Sequence, residues 1–367
     1  MAKILFFFCG EGLGHSSRVL SLAEQVSKKH EVYFASYGYA KRFIESFGYS
    51  VFEVPSEIKL VGNSGSLNLV GSILSSFGFF NPLNFFRVKK TIDFVKPDLI
   101  ICDSYVLGVF IGKLSGFKVW AVVNQTNVEK HFDNLLFFPF AFFVKLGFDF
   151  MLGFADKILI PDFEPPSTIC LKNLDKKFFD KYYFVGPLVR NGFFSRVKKK
   201  SKRNVLVSIG GFAYREKIFD KVFEASKFLP DYNFNFVAGP NVKKGISKKN
   251  IFWHGCLNDP HYLMSNSSLV ICAAGHSTIM EAICLGKPLL CFPDIGHFEQ
   301  KSNALRVQEL GLGLSLDYGI DSKELAKLIR FCSTDKSINE KSNEFSGLAL
   351  SYKNNAHFLK LLDAEFC

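Results

Sequence analysis

Between residues 273 and 304 the chain reads AAGHSTIMEAICLGKPLLCFPDIGHFEQKSNA, with small, hydroxyl, acid and amide groups at the offsets a sugar nucleotide requires. The preceding run SLVICAAG has the continuous apolar character of a strand buried on both faces. Gly275 then lets the backbone turn into HSTIMEAICLG, a helical segment that stops at Gly286. Gly275, His276, Ser277 and Thr278 therefore stand at a helix N-terminus. Unpaired N–H groups and the positive end of the helix dipole favour a diphosphate there, and the two hydroxyls add donors. Glu281 follows one turn on, where its carboxylate could accept both hydroxyls of a ribose. After a second strand, KPLLCFP, Glu299 and Gln300 form an acid–amide pair suited to adjacent hydroxyls of a hexose. Singly, each piece has a plainer reading: a turn glycine, a solvated helix residue, the polar start of a helix. Their order along the chain is what points to a nucleotide sugar.

A second cluster lies near the other end, at Cys9-Gly10-Glu11-Gly12-Leu13-Gly14-His15. A dinucleotide fingerprint would need a third glycine where His15 stands and an acidic residue near the end of HEVYFAS, which supplies none. This argues against NAD or FAD. The glycines still free the backbone to approach a ligand and present His15 at the head of the helix SSRVLSLAEQV. A neutral imidazole suits a general base because it titrates near working pH; the plainer reading is a His that caps the helix or touches phosphate. Asp103 ends the strand DLIICD at the carboxyl edge, where ligands gather in open α/β sheets. Two readings of it stand: it orients the His15 tautomer and stabilises the imidazolium, or it caps the helix that follows.

The stretch G-x-x-x-x-x-E followed by E-Q-x-x-N-A resembles the donor segment of GT-B glycosyltransferases, above all the lipid-linked muramoyl-pentapeptide N-acetylglucosaminyltransferases and the UDP-glycosyltransferases. The resemblance is strong over residues 254–313 and weaker elsewhere. It implies diphosphate on Gly275, ribose on Glu281 and sugar on Glu299 and Gln300. It further implies donor contacts at Gly14, at Ser208, Gly210 and Gly211 in a Gly-rich loop, at His276, and through Cys256 and Leu257 to the base. Gly12, Gln125 and Asn127 become acceptor contacts, although the family's His and Glu in the last motif are Asn and Gln here. His15 becomes the base and Asp103 its partner, a pairing known in some UDP-glycosyltransferases but not in the lipid-linked enzymes. No cofactor beyond a UDP-sugar co-substrate and no metal is expected, and the eight His residues show no H-E-x-x-H spacing.

Apolar strands alternate with helices from KILFFFCG onward, and the order restarts at NVLVSIGG, so the fold class is α/β: two Rossmann-like, doubly wound parallel-sheet domains facing a cleft. The expected domains are 1–187 for the acceptor, 188–345 for the donor, and 346–367 as a helix that, by resemblance, packs back on the first. The 367 residues suit two cores better than one. Nine dispersed Cys without a C-x-x-C pair, and a short apolar start, ILFFFC, without a leader's cleavage site, indicate the cytoplasm. The best span candidate, LLFFPFAFFVKLGF at 135–148, is broken by Pro139 and Lys145 and falls short of the roughly 20 residues a bilayer needs.

The net charge of +11 is dispersed except for Lys198–Arg203, and no nucleic-acid motif accompanies it. An anionic membrane surface or lipid suits it better than nucleic acid, with a solvated linker as the plain alternative. Aromatic residues make up 16% of the chain, 43 of them Phe, more than ordinary core filling requires. SILSSFGFFNPLNFFRVKK and the 135–148 region, rich in Phe with flanking Lys and Arg, suit peripheral helices in a lipid interface, or else core. The expectation is transfer of a hexosyl or N-acetylhexosaminyl group to a hydroxyl of a lipid-linked or glycan acceptor. A nucleotide-sugar 2-epimerase and a noncatalytic sugar-nucleotide or lipid-binding protein are the competing readings.

Overall fold

Lys3–Phe8 (β1) is apolar at successive positions because its sheet is covered on both faces: Leu5 and Phe7 enter one core, Ile4, Phe6 and Phe8 the other. The same rule governs the strands around it in this computed structural model, which describes residues 1–76, 81–131, 138–195, 203–240, 242, 245 and 247–366. The chain forms two units, one of residues 1–61, 69–188 and 354–367 and one of residues 62–68 and 189–353.

In the first unit β1 is followed by β2 (Glu31–Ser36) and β3 (Val51–Glu53). The chain then builds a hairpin in the second unit, β4 (Gly62–Asn63) and β5 (Ser66–Leu67), and returns for β6 (Leu99–Asp103), β7 (Lys118–Val122), β8 (Lys157–Ile160) and β9 (Tyr182–Phe184). The sheet order is β3-β2-β1-β6-β7-β8-β9, every pair parallel. The second unit repeats the plan with β10 (Asn204–Ser208), β11 (Asn233–Val237), β12 (Ile251–Gly255), β13 (Leu269–Cys272), β14 (Leu289–Cys291) and β15 (Gly313–Ser315), in the order β12-β11-β10-β13-β14-β15 and again parallel. Strand order reverses beside β1 in one sheet and beside β10 in the other, and such switch points leave a crevice at the strands' carboxyl ends.

The C-terminal stretch differs from its sequence pattern. The helix expected over 346–367 is divided: Lys336–Ala349 and Ala356–Phe366 are separate helices joined by a 3-10 segment, Leu350–Asn355. Asn354 and Asn355 adopt left-handed φ of 60° and 55°, which Asn tolerates and a helix cannot continue through. The last helix sends Phe358 and Leu362 into the core on the Ile4 face and sets Phe358 edge-on to Trp120. Of the Phe-rich stretches, Leu69–Ser75, Pro82–Val95 and Phe138–Gly153 are helices, while residues 77–80 and 132–137 lie outside the described residues, as do Lys198–Lys202 of the basic run. Among the described residues no helix is long and apolar enough to cross a membrane.

Candidate functional site

Strand alternation decides where Asp103 points. In β6, Leu99 and Ile101 join the core on the Ile4 face, so Asp103, two residues on, faces the side covered by Val19, Leu20 and Ala23 of the helix Gly14–Val26. That helix carries His15 and Arg18 three residues apart, on one face, directly against it. Arg18 grips Asp103 with a fork: Nε donates to Oδ2 at 2.8 Å and Nη2 to Oδ1 at 2.6 Å. Nη1 donates to Asn124 Oδ1 at 3.1 Å. His15 Nδ1 lies 2.8 Å from Asp103 Oδ1 and also 2.8 Å from Arg18 Nη2. These contacts select opposite tautomers. If Nδ1–H donates to the carboxylate, Nε2 keeps its lone pair; if Nδ1 accepts from Arg18, Nε2 carries the proton.

Asp103 is 1% exposed and Arg18 3%, whereas the His15 side chain is 25% exposed, so the imidazole is the accessible end of a buried ionic group. Burial pushes the Asp103 carboxyl up, but the Arg18 charge, with His15, holds it below the ordinary carboxylate range. Asp103 does not cap the helix Val106–Leu114 that follows. That N-terminus is taken by Glu57, whose carboxyl accepts from Val106 N at 2.9 Å and from Leu107 N. Burial raises Glu57 to about 8, against the pull of those two N–H groups.

The second unit has the same geometry with different chemistry. β13 runs into Ala274, at φ 56°, and then the helix His276–Cys284. Ser104 occupies the matching turn after β6 with φ 53°. A left-handed non-glycine residue costs about 1–3 kcal/mol, and such strain collects at functional turns. Gly275, at the N-cap position, has no side chain with which to cap this helix. A Cβ built on Gly275 would meet nothing within 4 Å, so the space beside that turn is open. Ser277 and Thr278 are half-buried beside it, His276 is buried, and Glu281, 8% exposed, stands on the second turn.

Helix Phe298–Glu309 carries Glu299 and Gln300 in its first turn. Asn303, to which no role was assigned from sequence, ties this helix to the Gly275 turn: its Nδ2 donates to Ala274 O and to Glu299 Oε1, both at 3.3 Å. The Gln300 amide is engaged internally, accepting from Asp294 N at 2.9 Å and donating to Asp294 Oδ2 at 3.1 Å. Asp294 is in turn forked by Arg215, with Nη2 at 2.6 Å, and receives the Tyr214 hydroxyl at 2.9 Å. Burial alone would lower the Arg215 value, but the Asp294 carboxylate raises it above the ordinary range.

The remaining residues are placed as follows. Gly12 lies half-buried with φ 77° in the loop that leads into Gly14 at the head of the first helix. Ser208 ends β10, and the loop behind it is so tight that a Cβ on Gly239 would come within 2.4 Å of Gly210 O and 2.6 Å of Gly211 Cα. Cys256 is exposed and Leu257 half-buried after β12. On the first unit, Asn127 Nδ2 donates to Leu174 O, at 3.0 Å, and to Lys172 O, at 3.4 Å. Gln125 Nε2 donates to Asn127 O at 3.4 Å. His15 and Asp103 are thus brought together, as are Gly275–Glu281 with Glu299 through Asn303. Arg18, Asn124, Arg215 and Asp294 are the members that sequence reasoning missed.

Comparison with known proteins identifies the family and the fold. Residues 2–332 match the family described as glycosyl transferase family 1. An uncharacterized glycosyltransferase of Methanosarcina acetivorans is 38% identical over 99% of this chain and 98% of its own length, and one from Methanosarcina mazei is 35% identical over 95% of each. More distantly, the UDP-N-acetylglucosamine–N-acetylmuramyl-(pentapeptide) pyrophosphoryl-undecaprenol N-acetylglucosamine transferase of Prochlorococcus marinus is 25% identical over 88% of this chain and 83% of its own. Among solved structures, the glycosyltransferase of kitacinnamycin superposes with a TM-score of 0.73 at 16% identity over 99% of both chains. The spinosyn rhamnosyltransferase SpnG complexed with thymidine diphosphate gives 0.72 at 17% identity, covering 98% of this chain and 100% of that one. The two doubly wound sheets are those of the GT-B fold, and the chain belongs to glycosyl transferase family 1.

Proposed function

We propose that this glycosyltransferase moves a hexosyl or N-acetylhexosaminyl group from a UDP-sugar to a hydroxyl of a lipid-linked or glycan acceptor, without a metal. The observation that carries the reading is the helix N-terminus that follows Gly275, an N-cap residue without a side chain, with open space beside Gly275 and Glu281 on the next turn. The N–H groups and the hydroxyls of Ser277 and Thr278 hold the diphosphate, Glu281 holds ribose, and Glu299 takes sugar hydroxyls. On the other unit, His15 Nε2 accepts the acceptor's proton when Nδ1–H is directed at Asp103, and the carboxylate stabilises the imidazolium so formed. The acceptor oxygen bonds to the anomeric carbon as that carbon's bond to the diphosphate oxygen breaks. The helix dipole stabilises the departing charge in place of a cation, so turnover persists in excess EDTA.

The acceptor side is supported by a groove of 790 Å³ in the first unit, where Arg87 and Lys90 stand with Phe52, Pro55 and Phe94. Helices Pro82–Val95 and Phe138–Gly153 also leave Phe86, Phe94 and Phe143 largely exposed. Apolar side chains beside cations suit peripheral binding to an anionic membrane, each basic residue near the surface contributing about 1 kcal/mol. On this reading the enzyme works from the cytoplasmic face on a glycolipid of the cell envelope. One relative fits the proposal by name, the lipid-linked N-acetylglucosamine transferase; the structurally similar rhamnosyltransferase with thymidine diphosphate fits only a nucleotide-sugar donor in general.

The test is calorimetric titration with UDP and UDP-GlcNAc, alongside dTDP and dTDP-glucose, for wild type and Glu281→Ala. Binding lost in the variant supports the donor site; equal binding in both removes the ribose assignment. A wild type that prefers the thymidine ligands overturns the choice of UDP while keeping the site. For a noncatalytic protein, His15→Ala would change nothing measurable.

A further inference from the structure

Residues Gly62–Asn68 leave the first unit's sequence to become part of the second. Their hairpin, β4 and β5, is fixed there by backbone bonds on two sides. Gly65 N donates to Tyr214 O at 2.6 Å, Ile295 N donates to Gly65 O at 2.9 Å, and Leu67 N donates to Ile295 O at 3.0 Å, with Ser66 paired to Ile295 in parallel register. The fit is close enough to require glycine. Gly65 sits at φ 82°, and a Cβ there would lie 2.8 Å from the Tyr318 ring; one on Gly62 would lie 2.5 Å from the Tyr214 ring.

The segment the hairpin grips is the loop that opens the helix bearing Glu299 and Gln300. Asp294, next to Ile295, is the point where Arg215, Tyr214 and Gln300 converge. Two residues of that set, Tyr214 through its carbonyl and Asp294 through its neighbour, are thus clamped by the hairpin, and Gln300 is bonded to Asp294 at both ends of its amide. We infer that the hairpin Gly62–Asn68 is a specificity element of the donor site: by fixing the Asp294–Gly296 loop it sets the position of Glu299 and Gln300 and hence which sugar is accepted. Its residues are positioning residues, since they act through the loop. The inference rests on the donor reading above and deepens it. The nucleotide part of the site, at Gly275–Glu281, lies on a different helix. The hairpin therefore affects discrimination between sugars and leaves the affinity for the bare nucleoside diphosphate alone.

The experiment uses the full chain with Gly65→Ala, which forces the Tyr318 ring to move, and Leu67→Pro, which deletes one clamp N–H. Calorimetry with UDP and dTDP is paired with competition among their glucose, galactose and N-acetylglucosamine conjugates. The expected result is nucleoside diphosphate affinity within twofold of wild type and at least a fivefold change in the ratio of affinities for two sugars. A folded variant that binds diphosphate and keeps the wild-type sugar ratios overturns the hairpin's role alone. Failure of wild type to bind either diphosphate overturns the donor reading and this inference with it. If Gly65→Ala lowers the melting temperature so far that it cannot be titrated, Leu67→Pro and Ile295→Pro, which removes the N–H given to Gly65 O, decide the matter by the same ratios.

Discussion

The two sheets share a strand plan, and each holds a buried Arg–Asp fork beside its switch point, yet the third partner differs. Arg18–Asp103 is shared with His15, a titratable and partly exposed ring; Arg215–Asp294 is shared with Tyr214 and the Gln300 amide. The helices after the matching turns differ as well. In the first unit Glu57 caps Val106 and Leu107 from another segment, whereas the helix at His276 opens on Gly275, which has no side chain of its own. Capping from within leaves one N-terminus unavailable to an external anion; on the proposed reading the other takes the diphosphate. On the proposed reading the same fold handles a proton in one unit and a diphosphate in the other.

Replacing His15 by Ala presses hardest on that division. If the first unit handles the proton, kcat falls by about 10²–10⁴-fold while the donor dissociation constant stays put, read by steady-state kinetics and calorimetry together. The forks come next. Arg18→Met and Arg215→Met should each destabilise by about 3–5 kcal/mol in urea titrations, because each strands a buried carboxylate. A much smaller loss at Arg18 would mean that His15 can neutralise Asp103 unaided, and the two forks would no longer be equivalent.

Glu281→Ala should weaken UDP binding by about 1.5–3 kcal/mol, the worth of hydrogen bonds to a charged group, with no effect on the stability of the Arg18 fork. The mildest effect concerns the internal cap. Glu57 is raised from 4.5 to about 8, so it takes up a proton on folding. Its contribution is fully present below the lower value and is lost as pH rises through the upper one, at most about 1.4 kcal/mol per pH unit. Glu57→Gln should remove that slope from stability measured between pH 5 and 8; an unchanged slope assigns it to another group.

Much of the frame was legible because its signals are local. Continuous apolar runs such as LVIC and KILFFF gave strands buried on both faces, and the glycine-led turn at Gly275 gave a helix start. Arg18 was also within reach, three residues after His15 on one helical face, but its partner depends on the parity of β6, a strand 85 residues away. Asn303 stood in the E-Q-x-x-N motif without a role because its target is a backbone carbonyl on another element. Glu57 and the hairpin were hidden for the same reason: their partners are fixed by topology, and nothing near them in sequence marks the pairing. The bond from Asn127 Nδ2 to Leu174 O was likewise not legible, because it joins loops 47 residues apart.

The last helix has a consequence for how the chain is made. Phe358 and Leu362 complete the core on the Ile4 face, and Asn355 Nδ2 donates to Ser21 O at 2.7 Å, a bond spanning 334 residues. Synthesis runs from the N-terminus, so the sheet that begins with residue 3 keeps one face unfinished until Phe358 and Leu362 leave the ribosome. The second unit, whose strands all lie before residue 316, can close first. The sheet translated first therefore receives its last core side chains only after the whole of the second unit, which ends at Lys353, has been made.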